Sequence, residues 1–131
     1  MEGIKVIRYL LANNSPLIAV VAASKITAGV LPYGTSLPAI QLTHISTVWD
    51  SEISAQSEYG TSRVQVTVLA DDYPQQYQVM DLVLDAITRT RGTINGVNVD
   101  CIIRDSGGQD FSDNDAGIFM QTQDYFVKYN R

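Results

Sequence analysis

The sequence has little of what most disulfide-bonded, metal-dependent and nucleotide-binding proteins require. It contains one cysteine and one histidine in 131 residues. A single cysteine cannot form an internal disulfide, so a disulfide scaffold is excluded. No phosphate-binding Walker loop, dinucleotide fingerprint or paired set of zinc ligands is present. These absences remove the enzyme classes that depend on such motifs.

Long hydrophobic runs are also missing. The longest apolar stretch is Leu17 to Ala23, whereas a membrane-spanning helix needs about 20 residues. The polar residues 13–16 interrupt the apolar N-terminal region, which argues against a secretory signal. We therefore expect no membrane partner.

Positive charge is scarce in the second half of the chain. The sequence has 9 basic and 14 acidic residues, for a formal net charge of −5. The acidic excess lies within residues 67–131, and an acidic protein repels phosphate backbones at long range. This charge argues against tight nucleic-acid binding, but it is compatible with a surface that DNA passes without adhering.

The first half of the chain predicts two helices followed by strands. Apolar residues recur at helical spacing over 3–12, and Ser15-Pro16 is typical of a new helix start, so a short helix is expected over 17–24. A brief strand is expected at 25–28. The β-branched segment 38–49 predicts a long strand, and the alternating segment 63–70 predicts another.

The polar segment 50–62 between those strands is either a long loop or the tip of a hairpin. In the second half, Asp71-Asp72-Tyr73-Pro74 predicts a helix entry, and the helix is expected to continue to about Arg91, with Gly92 as its C-terminal stop. Its predicted buried stripe consists of Tyr77, Met80, Val83, Leu84 and Ile87.

Two further strands are predicted at the C-terminal end. One has Val97, Val99, Cys101 and Ile103 on an apolar face, and the other spans 118–129; the intervening segment 105–117 has the composition of a turn. The element order is therefore α-α-β-β-α-β-β in one domain over residues 1–131. We predict an α+β fold with an antiparallel or mixed sheet of four to five strands, flanked by two to three helices.

Few residue combinations in the sequence could carry chemistry. Asp105-Ser106-Gly107-Gly108 resembles part of a serine-protease segment, but its context is lacking and a tight turn is the better explanation. The acidic residues of 105–115 do not fit a calcium-loop register. A small metal-dependent hydrolase using Asp105, Asp110 and His44 is kept as an alternative. Cys101 is predicted to be a buried thiol, and we predict no catalytic residue, cofactor or bound metal.

Several segments resemble the tail terminator and tail completion proteins of long-tailed bacteriophages. The resemblance rests on the N-terminal helix, on Lys25-Ile26-Thr27-Ala28-Gly29 and on Leu37-Pro38-Ala39-Ile40 before the first long strand. It extends to Asp113-Asn114-Asp115-Ala116-Gly117 and to a last strand ending Tyr125-Phe126-Val127-Lys128-Tyr129. The order of elements agrees over nearly the whole chain.

This resemblance implies a structural virion protein without enzymatic activity. In that family a homohexameric ring caps the tail tube, ends tail polymerisation and provides the surface that joins the head. The implied partners are further copies of the chain, a tail tube protein, a head–tail connector or neck protein, and genomic DNA passing through the lumen without specific binding. The implied location is the tail–neck region of the virion, after assembly in the host cytoplasm. A head–tail connector adaptor or a tail tube subunit is the alternative.

A closed ring needs two different contact patches on each subunit. Aromatic residues flanking the 50–62 segment and acidic residues of the loops are the candidates for contacts with a neighbouring subunit or partner; Trp49 is also compatible with a role in the core. The predicted contact residues are Trp49, Glu52, Glu58, Tyr59, Asp71, Asp72, Asp110, Asp113 and Asp115.

Overall fold

The fold is a curled mixed sheet with its helices packed on one face. The computed structural model describes residues 2–29, 34, 36–51, 56–88, 91–107, 111–113 and 117–130, with the backbone alone at 50–51, 56–58, 106–107 and 111–113. In chain order the elements are α1 (Glu2–Ala12), α2 (Ser15–Ile18), a 3-10 turn (Ala23–Lys25), β1 (Ile26–Ala28), β2 (Ala39–Ser51), β3 (Gln56–Ala70), α3 (Tyr73–Ala86), β4 (Gly92–Ile94), β5 (Val97–Gly107), β6 (Phe111–Asp113) and β7 (Ile118–Asn130).

The α+β class and the order of the main elements are confirmed. Six strands follow the order β1-β2-β3-β7-β5-β4, and β6 pairs with β7. Within the described residues the sheet thus has seven strands rather than four or five, because β4 and β6 are three-residue strands that sequence alternation does not reveal. Of the pairings in these residues, β1 with β2 is parallel and the others are antiparallel.

The segment 50–62 is mostly strand rather than loop. β3 begins at Gln56 and pairs with β2 up to Ser51, which makes the two strands one long hairpin. Cross-strand pairing with β2 supplies the strand structure that the polar sequence of this segment does not predict. The hairpin-tip alternative is therefore the correct one.

Helix α3 ends earlier than its sequence predicts. It stops at Ala86, and Ile87 adopts an extended conformation with ψ of 94°. The β-branched pair Ile87-Thr88 has low helix propensity, and leaving the helix buries the Ile87 side chain. Gly92, at φ +115°, begins β4 instead of stopping the helix.

The buried stripe of α3 also differs from the predicted one. Its buried residues are Gln76, Val79, Met80 and Val83. Tyr77 is 42% exposed and contacts Tyr73 rather than the core. Gln76 takes the core position because its amide can donate to Gln121 Oε1 at 3.5 Å.

A β-bulge changes which side of β5 faces the helices. The pairing of β5 with β7 shifts between Val99 and Cys101, so Ile102, not Cys101 or Ile103, follows Val99 into the core. An inserted residue inverts the alternation of every later side chain. The prediction of a buried Cys101 is wrong for this reason: it is partly exposed, and Ile103 is 38% exposed.

The hydrophobic core lies between the helices and the inner face of the sheet. α1 packs on β1, β2 and β3, and α3 packs on β3 and β7. Helix α1 approaches β3 so closely at Gly3 that a Cβ there would lie 2.7 Å from Ser62 Cβ. No helix in the described part of the chain is long and apolar enough to cross a membrane.

Candidate interaction surface

The described end of the β2–β3 hairpin carries Trp49, one of the predicted contact residues. Trp49 pairs across the strands with Gly60, and a Cβ at Gly60 would lie 3.0 Å from two indole carbons. The indole also makes an edge-to-face contact with Tyr129, with ring centroids 5.8 Å apart. Trp49 is nevertheless 40% exposed. It therefore covers the backbone of its neighbouring strand and still leaves part of its ring exposed to solvent.

Tyr59 lies on the adjacent strand and is tied to β5. Its hydroxyl donates a hydrogen bond to Asp100 Oδ2 at 2.7 Å. The other carboxylate oxygen of Asp100 lies 3.9 Å from the Arg91 guanidinium. These three residues line an open pocket of about 300 Å³. Tyr59 thus bridges β3 and β5 at one edge of this pocket.

Two exposed aliphatic residues of β2 lie close to Trp49 in sequence. Val48 is 64% exposed and pairs with Thr61, while Ile45 is 46% exposed and lies at the bulge between His44 and Ser46. Sequence analysis did not select them. The sequence does contain an indication of them. One face of β2 is apolar and packs on the core, so further apolar residues on the other face of the same strand are expected to be exposed.

Asp72 and Asp71 lie at the start of α3, where they help to form the helix. Asp72 is the N-cap, and its side chain accepts a hydrogen bond from the Gln75 amide at 2.8 Å. The Asp71 amide donates to Gln75 Oε1 at 2.9 Å. This arrangement satisfies helix-end donors and explains Asp72 without a partner. The Asp71 side chain is exposed.

For the other predicted contact residues the structure describes either the backbone alone or nothing. Glu52, Asp110 and Asp115 lie outside the described residues. The backbones of Glu58 and Asp113 belong to β3 and β6. Their assignment as contacts stays a prediction.

An ion-pair group that sequence analysis missed lies on the sheet face opposite the helices. Arg63 Nε and Nη2 donate to Asp124 Oδ2 at 2.9 and 2.6 Å, and Nη2 lies 3.4 Å from Asp105 Oδ2. The guanidinium lies over the Phe126 ring, 5.6 Å from its centroid. The hydrogen bond to Asp124 raises the pKa of Arg63 despite an opposing effect of desolvation. Arg63 and Asp124 come together because the β3–β7 register places Gln65 opposite Asp124 and Arg63 opposite Phe126.

The metal-dependent hydrolase alternative gains no support from this arrangement. Asp105 on β5 is paired with Arg63, while His44 on β2 hydrogen-bonds Thr47 Oγ1 at 2.8 Å. Strands β3 and β7 lie between β2 and β5, and Asp110 lies outside the described residues. Across the described ranges, no group of three or more His, Cys, Asp or Glu residues is arranged to hold a metal ion.

His44 instead begins a short chain of polar contacts. Thr47 Oγ1 lies 3.1 Å from Ser62 Oγ, which in turn lies 3.4 Å from the Tyr129 hydroxyl. Ser62 and Tyr129 are buried, and His44 is exposed. The chain satisfies polar groups at the border of the core. His44 is therefore a hydrogen-bonded residue on the surface.

A second open pocket lies beside the C-terminal end of α3. It has a volume of about 280 Å³ and contains Arg104 and the buried Tyr125. Burial raises the pKa of Tyr125 to about 12, although the nearby Arg104 guanidinium acts in the opposite direction. The two side chains are close enough for this electrostatic effect, but their geometry does not make a good hydrogen bond. Tyr125 is consequently a neutral phenol at physiological pH.

Comparison with known proteins identifies the fold. No protein-family model matches the chain, and no curated protein matches it. Among solved structures, it is similar to a chain in the virion of a native gene transfer agent particle, with a TM-score of 0.79 and 11% sequence identity. The match covers 98% of this chain and 94% of the other. At this identity the likeness establishes that the two chains share a fold.

Proposed function

We propose that this chain is a structural virion subunit that assembles into a homohexameric ring at the end of a phage-like tail. The ring caps the tail tube, ends its polymerisation and provides the surface that joins the head. In this role the chain has no catalytic activity. Its partners are other copies of itself, the tail tube protein and a connector or neck protein.

The proposal rests above all on the whole-chain fold match to a protein of a virion particle. The match includes the short elements as well as the core, since it covers 98% of the chain. It agrees with the resemblance of the N-terminal and C-terminal segments to tail terminators. The step from a virion subunit to a tail-capping ring is supported by that resemblance.

The β2–β3 hairpin is the surface we assign to contact with a neighbouring subunit or the tail tube. It carries the exposed aliphatic side chain of Val48 and the partly exposed ring of Trp49. Aromatic side chains held by their own fold make good interface anchors because they lose little conformational freedom on binding. Trp49 is held by its edge-to-face contact with the buried Tyr129, so its ring is positioned before a partner binds.

Genomic DNA would pass through the lumen of this ring without specific binding. The net charge of −5 supports this point, because an acidic wall repels phosphate groups.

A connector adaptor and a tail tube subunit remain the competing assignments. They differ in assembly: a terminator forms one closed ring, whereas a tube subunit adds without limit into open-ended polymers. The mass of the assembled protein separates these outcomes.

The test is light scattering on a sizing column over a concentration series, with and without magnesium. The proposal predicts a discrete species near six times the chain mass of 14.4 kDa. A broad series of growing polymers would favour a tube subunit. A protein that remains monomeric or dimeric, and that does not bind the ends of purified tail tubes, would contradict the proposal.

A further inference from the structure

The exposed side of helix α1 is basic. Residues 2–29 contain one acidic residue, Glu2, against Lys5, Arg8 and Lys25. Lys5 and Tyr9 lie one helical turn apart on the solvent side, and Tyr9 is 44% exposed. In the part of the chain that the structure describes, Lys5 forms no ion pair. We call Lys5, Arg8 and Tyr9 the α1 stripe.

Arg8 is fixed in position by the fold. Its Nε donates to the Ile26 carbonyl at 3.1 Å, and its Nη2 donates to the Ala23 carbonyl at 3.3 Å. Neutral carbonyls hold the guanidinium without cancelling its charge. The positive charge of the α1 stripe is therefore preorganised as well as exposed.

The exposed side of helix α3 has the opposite charge. Residues 71–88 contain four aspartates and no basic residue. Tyr73, Tyr77, Asp81 and Asp85 follow one another at four-residue spacing, which places them along one side of a helix. All four are exposed. We call them the α3 stripe.

The aromatic end of the α3 stripe is ordered. The Tyr73 hydroxyl donates to the Tyr77 hydroxyl at 2.9 Å, and their rings pack edge to face with centroids 4.8 Å apart. Within the described residues, Asp81 and Asp85 form no ion pair. Among the described residues, each stripe thus combines tyrosine with charged side chains that form no ion pair, apart from the carbonyl contacts of Arg8.

The two stripes belong to different parts of the helical layer. α1 lies on the β1 side of the sheet, against β1, β2 and β3, while α3 lies against β3 and β7. A ring requires two unlike patches, each recognising the other on the next subunit. Opposite charge on such patches favours the correct pairing and disfavours the pairing of like patches.

We propose that the α1 stripe of one copy docks against the α3 stripe of the next copy, so that the occupant of each surface is a second copy of this chain. This inference rests on the proposed ring and specifies which surfaces close it. The contact pairs Lys5 and Arg8 with Asp81 and Asp85, beside tyrosines from both sides. Its strength falls with added salt, because exposed charges are screened beyond about 10 Å at 0.1 M salt.

The test is charge reversal followed by charge exchange, with assembly measured by sedimentation velocity. Lys5→Glu and Asp81→Lys are each expected to weaken association on the order of tenfold, because each replaces an attraction by a repulsion. The double variant carrying both changes restores an opposite-charge pair at every interface and is expected to recover most of the loss. Circular dichroism checks that each variant is folded.

Lys128→Glu is the matched control. It makes the same change in net charge as Lys5→Glu, but Lys128 is on β7 and shares the sheet face of Thr61, away from the helices. Because Lys128 is in the same outer-face row as Val48 and Thr61, the control is read from recovery rather than from loss: adding Asp81→Lys is expected to restore association in Lys5→Glu but not in Lys128→Glu. This control separates a local contact from the general effect of net charge.

The outcomes also separate this inference from the proposed function. Loss in both single variants with recovery in the double variant supports the docking of the two stripes. If the wild-type chain forms a ring and every variant forms it equally well, the docking of the stripes is wrong and the proposed function still stands. A wild-type chain that stays monomeric at low salt and high concentration overturns the docking, and tail-tube binding then decides the function.

Discussion

The two faces of the same sheet have different tasks, and β2 shows this residue by residue. Ile40 and Leu42 point toward the helices and are fully buried, whereas Gln41 and Thr43 between them are half-buried on the other face. On the neighbouring strand Val64 and Val66 lie in the core, while Arg63 joins an ion-pair group. The inner face forms the hydrophobic core, whereas the outer face carries polar and charged side chains. Substitutions on the two faces should therefore differ in their effect on stability.

The largest loss of stability is expected from shortening a buried side chain on the inner face of the sheet. Leu42→Ala should lower the free energy of unfolding by about 3 kcal/mol, because it removes a buried side chain and leaves a cavity. Urea denaturation followed by circular dichroism measures the change.

The adjacent Thr43→Ala is the matched control, expected to change the free energy by about 0.5 kcal/mol. Equal losses at the two positions would mean that both faces support the fold, contrary to the comparison.

The next largest loss of stability is expected at Gly3, where helix α1 lies against the inner face of the sheet. Gly3→Ala places a Cβ 2.7 Å from Ser62 Cβ and 3.0 Å from Val64 Cγ2, so α1 must shift away from β3. We expect a loss of about 1–2 kcal/mol in the free energy of unfolding, after allowing for the higher helix propensity of alanine. Lys5→Ala on the exposed side of α1 should change it little; a stabilised Gly3→Ala protein would contradict the packing.

A pH effect should distinguish Tyr125, which lies on the inner face, from exposed tyrosines. Its pKa is raised to about 12, above the unfolded value near 10. The folded state therefore binds more protons than the unfolded state between these values, and stability falls as pH rises from about 10 to 12. The loss should be about 2 kcal/mol.

The measurement is the urea midpoint at pH 9 and at pH 11.5, for the wild-type protein and for Tyr125→Phe. The difference between the two proteins gives the contribution of the Tyr125 phenol. The variant should lose less stability over the interval, because its ring has no proton to release. Identical alkaline losses in both proteins would refute the assignment.

The smallest effect on the fold is expected on the outer face of the hairpin. Val48→Thr keeps the β-branched shape at a position that is 64% exposed, so the free energy of unfolding should change by less than about 0.5 kcal/mol. Association should nevertheless weaken, because Val48 belongs to the proposed contact surface. Unchanged sedimentation of Val48→Thr together with unchanged binding to tail tubes would remove Val48 from that surface.

The main elements of the fold could be predicted because their signals are local. The helical spacing of 3–12, the alternation of 63–70 and the strand predicted over 118–129 correspond to α1, the second half of β3 and β7. These patterns follow directly from which side chains face the core. The α+β class could be derived from their order.

The errors arise where local patterns depend on pairing. The bulge after Val99 exchanges the faces of Cys101 and Ile102, and nothing in the alternation of that strand reveals an inserted residue. The hairpin of β4 and β5 was also missed, although Asn95-Gly96, both at positive φ, is a strong turn signal. Short edge strands are stabilised by their neighbours, so their own sequence carries little information.

The residues of the proposed contact surface stay predictions, and the sequence selected only some of the side chains that the structure places there. Trp49 and Tyr59 were selected by residue type, and both lie at the described end of the hairpin or beside it. The Arg63–Asp124 pair was not found, because it joins residues far apart in sequence whose proximity depends on the β3–β7 register. Helix capping accounts for Asp72, which shows that acidic residues near loops are weak indicators of a partner.

The most direct test of the central claim is electron microscopy of the purified full-length chain, alone and mixed with tail tubes. The account predicts closed rings of six subunits and a single ring at the end of each tube. Open-ended polymers built from this chain, or tubes whose ends remain bare at saturating protein, would contradict it.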